Sequence, residues 1–363
     1  MRIMTILGTR PEIIRLSLIL PKLDRYAERH VLVHTGQNFA DRLSGIFFRQ
    51  MGLRSPDYIL QDAAASLGEQ LSSMFSQMEA ILEKEKPDKI LLLGDTNSAL
   101  CAVLAERLGY PVVHMEAGNR CFDLNVPEEK NRKVIDAISS INMPYTEQSK
   151  KHLLAEGFPS RRIVLTGNPI YEVMKHYEKS IAESDILNRL SLKPKEYFLV
   201  TAHRAENVDH PVRLQQIVEG LNRIAEAYGR RIICSIHPRT ASRITGQQSL
   251  SLHPLVEFHE PFSFFDFVML ERFTCCALTD SGTVQEECCI MQVPTVTMRS
   301  TTERPETVDC GSNIVSGLDA EAIYRAADLM ISLNRGWVCP EGYLTENVSD
   351  KVVKFLLGGK VHV

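Results

Sequence analysis

Three observations predict an α/β protein built from two doubly wound domains facing each other across a cleft. Short, continuous apolar runs rich in β-branched residues alternate with longer helical patterns. The alternation stops in a polar stretch and then restarts. Nearly every apolar run ends in a cluster of polar residues or glycine. Continuous apolar strands set between helices mark a parallel sheet covered on both faces. A chain of 363 residues, 44% hydrophobic and 24% charged, also exceeds what one core usually absorbs.

In the first domain, residues 1–168, the runs RIMTIL (2–7), HVLVHT (30–35), KILLLG (89–94), PVVHM (111–115), NMPYT (142–146) and RIVLT (162–166) read as strands. The stretch TGNPIYEVMKHYEKSIAESDILNRLSLKPKEY has no apolar strand and serves as the connection, with the boundary near residue 168. In the second domain, residues 169–346, the strands are YFLVT (197–201), RIICSI (231–236), LVEF (255–258), CCALT (275–279) and PTVTM (294–298). A last amphipathic helix, at about 347–363, is expected to cross back onto the first domain. Ligands of open α/β sheets bind at the carboxyl ends of the strands.

Composition narrows the function. Net charge is −4 with mixed signs and no basic tail, so neither nucleic acid nor a membrane surface is an expected partner. The N-terminal apolar run is broken by Gly8 and the charges after it, so it reads as neither a signal peptide nor an anchor. No other run approaches the roughly 18 apolar residues of a membrane span. Nine cysteines without CxxC spacing read as reduced thiols in a cytoplasmic protein. The adjacent pairs Cys275-Cys276 and Cys288-Cys289 read as small buried hydrophobes, because neighbours on a strand point to opposite faces and metal sites recruit spaced ligands.

The strand ends carry the chemistry. They read GTRPEIIR (8–15), TGQN (35–38), GDTNS (94–98), HMEAGNR (114–120), TAHRAEN (201–207), HPR (237–239) and TDSGTVQEE (279–287). In the last, Ser281, Gly282 and Thr283 open a helix whose N–H groups suit an anion, and Glu287 lies nearly two turns along, within reach of ribose hydroxyls. Asp-Ser-Gly is also ordinary turn and N-cap chemistry. Arg10, Arg15 and Arg304 (in TERPE, 302–306) offer bidentate geometry for phosphate oxygens, or else simple surface ion pairs with neighbouring glutamates.

Asp95, Glu116, Glu128 and Glu129 place carboxylates at two strand ends and in the following loop, with His203 arriving from the second domain. Carboxylates sharing a water-poor cleft push their pKa values upward and apart, which lets a proton donor and acceptor coexist near neutral pH. Capping at GDT and helix-start glutamates in PEE are the plainer alternatives. His114, inside a strand, reads as a satisfied core histidine; His237 is more open, and His259 is unassigned.

In this order, GTRPEIIR, TGQN, GDTNS, HMEAGNR, PEEKNRKVID, TGNP, TAHRAEN, HPR, TDSGTVQEE and TERPE resemble the non-hydrolysing UDP-N-acetylglucosamine 2-epimerases over essentially the whole chain. The resemblance implies a glycosyltransferase-B-like pair of Rossmann domains, usually dimeric, that needs no metal or redox cofactor. It implies that Ser281 and Gly282 bind the diphosphate, Glu287 the ribose, and Phe267 the uracil side. Arg10, His203 and Arg304 would surround the phosphates, with Asp95, Glu116 and Glu128 as catalytic carboxylates.

The implied reaction is anti elimination of UDP across C1 and C2 to a 2-acetamidoglycal, followed by re-addition, in the supply of polysaccharide precursors. Relatives commonly read GTRPEAIK where this chain has Arg15, which keeps the charge but changes its geometry; where they read TGQH and HRREN this chain has Asn38 and Ala205, departures that tell against a regulatory UDP-N-acetylglucosamine site. NRCFDLNVPEEKNRKVID, SGTVQEECCI and CGSNIVSG are more similar to the subgroup that interconverts UDP-N-acetyl-L-talosamine and UDP-N-acetyl-L-fucosamine, although Ala137 replaces a histidine common there. A glycosyltransferase of the same architecture, a hydrolysing epimerase and a non-catalytic nucleotide-sugar sensor are the competing readings.

Overall fold

The computed structural model describes residues 1–36, 45–61, 66–202, 204, 207, 210–236, 251–333 and 336–359. The chain divides into two compact units, Met1–Val173 with Glu341–Val363, and Met174–Pro340. No helix among the described residues is long and apolar enough to cross a membrane.

The first unit holds a parallel sheet of six strands: β1 (Arg2–Leu7), β2 (Arg29–His34), β3 (Tyr58–Ile59), β4 (Lys89–Leu93), β5 (Val112–Met115) and β6 (Ile141–Met143). Their spatial order is β3-β2-β1-β4-β5-β6. The second unit repeats the plan with β7 (Tyr197–Thr201), β8 (Arg231–Ser235), β9 (Val256–His259), β10 (Cys276–Thr279), β11 (Thr295–Thr297) and β12 (Asn313–Val315), in the order β12-β11-β10-β7-β8-β9. In both sheets the chain reverses direction of winding beside the first strand, between β1 and β4 and between β7 and β10. That reversal opens a crevice at the carboxyl ends, the usual ligand position of a doubly wound sheet.

Strand alternation explains why both faces are apolar. In β7, Phe198 and Val200 join a core with Leu214, Ile217 and Leu221 of the helix Pro211–Tyr228, whereas Tyr197 and Leu199 join another with Phe267, Leu270 and Val284. Side chains one residue apart thus enter opposite layers. Each large apolar side chain so buried contributes about 1.5–3 kcal/mol.

Six helices position the residues discussed below: α1 (Arg10–Leu16), α2 (Pro127–Ile138), α3 (Phe264–Phe273), α4 (Gly282–Ile290), α5 (Pro305–Asp309) and α6 (Val348–Gly358). Helix α6 belongs to the first unit, where Lys22 Nζ reaches Ser349 Oγ at 2.7 Å and Asp350 Oδ1 at 2.6 Å. The buried ammonium of Lys89 donates to the carbonyls of Phe355 (3.2 Å), Leu356 (2.8 Å) and Gly359, satisfying the end of α6.

Two features depart from the expected strands. RIVLT is not a strand: it follows β6 with Val164 N donating to Asn142 O and Thr166 N to Pro144 O, both in one direction. Pro144 has no N–H to return, so the ladder does not propagate. Conversely, β3 and β12 are edge strands of two and three residues, too short to show a period. All nine cysteines are free thiols, and Cys275, Cys276, Cys288 and Cys289 are buried, as expected of small hydrophobes.

Candidate active site

The first unit brings three strand ends together. After β1, Gly8 lies so close to Ser98 and Thr35 that a Cβ there would strike both hydroxyls, and those hydroxyls bond each other at 2.6 Å. Only glycine lets β1 end there. Glu12, three residues after the N-cap Thr9, folds back over this turn. Its Oε2 accepts from Gly8 N at 2.5 Å and Thr9 N at 3.0 Å, and its Oε1 accepts from Thr96 Oγ1 at 2.7 Å. One buried carboxylate therefore ties the residue before Arg10 to the residue after Asp95. Burial pushes its carboxyl up to about 7.

Asp95 and Glu116 stand at neighbouring strand ends, because β4 and β5 pair with Leu93 opposite Met115. Each carboxylate is held by an arginine: Glu116 by Arg15 and Asp95 by Arg132. Arg15 is buried with its guanidinium 5.7 Å from the Tyr145 ring centroid, so its charge is directed at Glu116 from within α1. Arg10 is half-buried beside the Phe47 ring, 5.5 Å from its centroid.

Helix α2 supplies the third carboxylate and a brace. Glu129 is buried and accepts from Cys121 N (3.0 Å), Phe122 N (3.2 Å) and Arg132 Nη2 (2.8 Å). It holds the loop before α2, whereas Glu128, beside it in the first turn, stays half-exposed. Asn131 Nδ2 donates to Asp95 O at 2.9 Å. Behind this layer His114 is fully buried, with Nδ1 on Asp136 Oδ1 and Nε2 on Gly94 O, both at 2.8 Å. His114 is the satisfied core histidine expected of it.

In the second unit, α4 starts where β10 ends. Ser281 is its N-cap; Ser281 N donates to Thr279 Oγ1 at 2.9 Å, and the Ser281 and Thr283 hydroxyls are 2.8 Å apart. The first-turn N–H groups of such a helix have no acceptor inside it. Glu303 and Arg304 lie against Gly282, and the Arg304 guanidinium pairs with Glu286. Glu287 is buried in the same helix, about 9 Å along the axis from Ser281. Phe267 of α3 is largely buried in the core that includes Val284. Asp280 Oδ2 accepts from Arg204 N (3.0 Å) and Asn207 Nδ2 (3.1 Å), fixing both residues after β7. His203, Asn38, Ala205 and His237 lie outside the described residues.

Glu12 and Asp280 sit inside strand-end clusters without being singled out there, and Arg132 and Asp136 lie on α2, outside every strand end. Glu12 and Arg132 had local signals: Thr9-x-x-Glu12 is a capping-box spacing, and Arg132 follows Glu128 and Glu129 at the four- and three-residue spacings of one helix face.

The profile of one family, described as UDP-N-acetylglucosamine 2-epimerase, matches residues 22–357. The chain is 40% identical to the UDP-N-acetylglucosamine 2-epimerase of Methanocaldococcus jannaschii, over 99% of this chain and 100% of that one. A crystal structure of the enzyme from that organism, in complex with UDP-GlcNAc and UDP, superposes with a TM-score of 0.92, covering 98% of this chain and 99% of that one at 40% identity. The chain is also 36% identical to the UDP-2,3-diacetamido-2,3-dideoxy-D-glucuronate 2-epimerase of Pseudomonas aeruginosa, over 90% of this chain and 91% of that one.

Proposed function

The chain belongs to the UDP-N-acetylglucosamine 2-epimerase family, and from that premise we propose that it is a non-hydrolysing epimerase that inverts C2 of a UDP-N-acetylhexosamine. The observation that carries the reading is the pair Asp95 and Glu116, two carboxylates on adjacent strand ends, each oriented by its own arginine.

In the forward half-reaction a carboxylate takes the C2 proton while the C1–O bond to UDP breaks on the opposite face, leaving a 2-acetamidoglycal. In the return half, UDP re-forms the C1–O bond and C2 receives a proton from the other face. Asp95, Glu116, Glu128 and His203 move the protons in this reading. Ser281, Gly282 and Thr283 at the start of α4, with Arg10 and Arg304, hold the departing diphosphate. Glu287 takes the ribose hydroxyls and Phe267 flanks the uracil. Arg15, expected at the phosphates, acts through Glu116, since its guanidinium is engaged there. The same reading includes a homodimer at work in the cytoplasm on a precursor of cell-surface polysaccharide, with no cofactor.

Proton NMR of the reaction in heavy water tests this: the epimerised sugar gains one solvent deuterium at C2 without any acceptor. Product lacking deuterium, or turnover only when an acceptor is supplied, overturns the reading. Free N-acetylmannosamine accumulating in step with UDP would make the enzyme a hydrolysing one.

The substrate favoured is the UDP-N-acetylglucosamine and UDP-N-acetylmannosamine pair. A 6-deoxy-L substrate, UDP-N-acetyl-L-talosamine, is the second reading, supported by the motifs NRCFDLNVPEE and CGSNIVSG. The same experiment run on a panel that also holds the diacetamido-glucuronate sugar separates them by relative kcat/KM.

A further inference from the structure

Three thiols gather at the end of α4 remote from Ser281. Cys289, in the last turn of α4, has its Sγ 3.8 Å from Sγ of Cys310, the C-cap of α5. Cys339 Sγ donates to Cys289 O at 3.5 Å. Cys289 is buried and Cys310 is half-exposed, so solvent reaches one member of the pair only. Cys101, Cys234 and Cys288 are sealed in the core, where burial raises their thiols and keeps them inert. At Cys310 the balance reverses. The Cys310 thiol donates to Ser312 Oγ and Thr307 O, both at 3.4 Å; a hydrogen bond from the Cys289 thiol is the main influence that draws Cys310 down to about 6, while Cys289 rises as the proton holder.

We propose that Cys310 and Cys289 form a modification site for hydroperoxides, Cys310 as the attacking thiolate and Cys289 as its resolving partner, and that their reversible disulfide weakens UDP binding at the other end of α4. The Cys310 thiolate attacks one peroxide oxygen, the O–O bond breaks, and the leaving oxygen takes a proton, giving a sulfenic acid and an alcohol or water. The Cys289 sulfur then attacks the sulfenic sulfur; the S–S bond forms, the S–O bond breaks, and the Cys289 proton leaves with that oxygen as water. Two thiols are oxidised and one peroxide is reduced.

A disulfide requires the sulfurs to close from 3.8 Å to about 2.05 Å. The bonded residues end two helices whose starts are Ser281 and Arg304. Closure therefore draws on the elements that hold the diphosphate, a coupling that rests on the functional reading above. Displacement on the order of 1 Å at a binding group is enough to cost roughly tenfold or more.

The experiment treats the full-length reduced protein with hydrogen peroxide, alkylates the remaining thiols, and maps peptides without reduction. UDP affinity is measured by calorimetry before oxidation, after it, and after dithiothreitol. The expected result is a Cys289–Cys310 cross-linked peptide that dithiothreitol removes, with affinity falling roughly tenfold and recovering. Trp337, the chain's single tryptophan, donates Nε1–H to Cys289 O at 2.9 Å, so its emission should change in step. Cys310→Ser should abolish the cross-link and the sensitivity, and Cys289→Ser should stop the chemistry at a dimedone-reactive Cys310.

Absence of the linked peptide, a link to Cys339 instead, or sensitivity persisting in Cys310→Ser overturns the site. A cross-link that leaves UDP affinity unchanged overturns the coupling. A reduced protein that binds no UDP would defeat the functional reading and leave the thiol pair standing on its peptide map.

Discussion

Glu116 holds its backbone at φ 68, a left-handed conformation that costs a non-glycine residue roughly 1–2 kcal/mol. The surroundings enforce it: Glu116 N donates to Met143 O at 3.1 Å, and the side chain is paired with Arg15. Strain held in place by such contacts belongs to residues whose direction matters. At this scale, Asp95→Asn is expected to lower kcat by roughly 10²–10⁴ while calorimetric UDP affinity stays within a few-fold, because only a proton carrier is lost.

Glu12 yields a pH prediction. Its folded pKa of about 7 lies above the ordinary 4.5, so as pH rises past about 4.5 the unfolded chain releases a proton that the folded one keeps. Stability contributed near and below pH 4.5 is lost as pH climbs toward 7, by about 3 kcal/mol in all. Glu12→Gln can keep both backbone bonds on its oxygen and reverse the third, its Nε2 donating to Thr96 Oγ1, and urea denaturation across that range should show the downward slope in the parent protein and not in the variant. Asp95, Glu116 and Ser281 were legible because each follows a strand and stands in a short polar cluster. For Arg132 the helical spacing signals its pairing with Glu129, but not its hold on Asp95, a residue 37 positions away.

At the scale of elements, the end of β1 is fixed by proximity. Gly8→Ala would force Ser98 and Thr35 apart and should destabilise by about 1–3 kcal/mol, read as a lower urea midpoint with an unchanged slope. The ten long apolar runs that became strands were legible from composition alone, since a strand covered on both faces has little choice of residue. RIVLT has the same composition and failed because of its neighbour Pro144, which composition of the run itself does not register. Strands β3 and β12 owe their existence to partners already in place. Lys89→Met, which leaves the carbonyls of Phe355 and Leu356 without their donor, should cost about 1–3 kcal/mol in thermal or urea unfolding.

At the scale of the molecule, one strand order, with its winding reversed beside the first strand, serves both units. In the functional reading each unit puts that reversal to a different use, the first for proton transfer and the second for anchorage of a diphosphate. Membership of the first unit also fixes a timetable. Residues 174–340 are contiguous, whereas the first unit is assembled from Met1–Val173 and Glu341–Val363. On the ribosome, the second unit has its whole sequence before the first does, although it is translated later. Until α6 emerges, Lys89 faces none of the carbonyls it caps, so the earlier-made unit waits for the last stretch of chain, exposed meanwhile to chaperones and proteases.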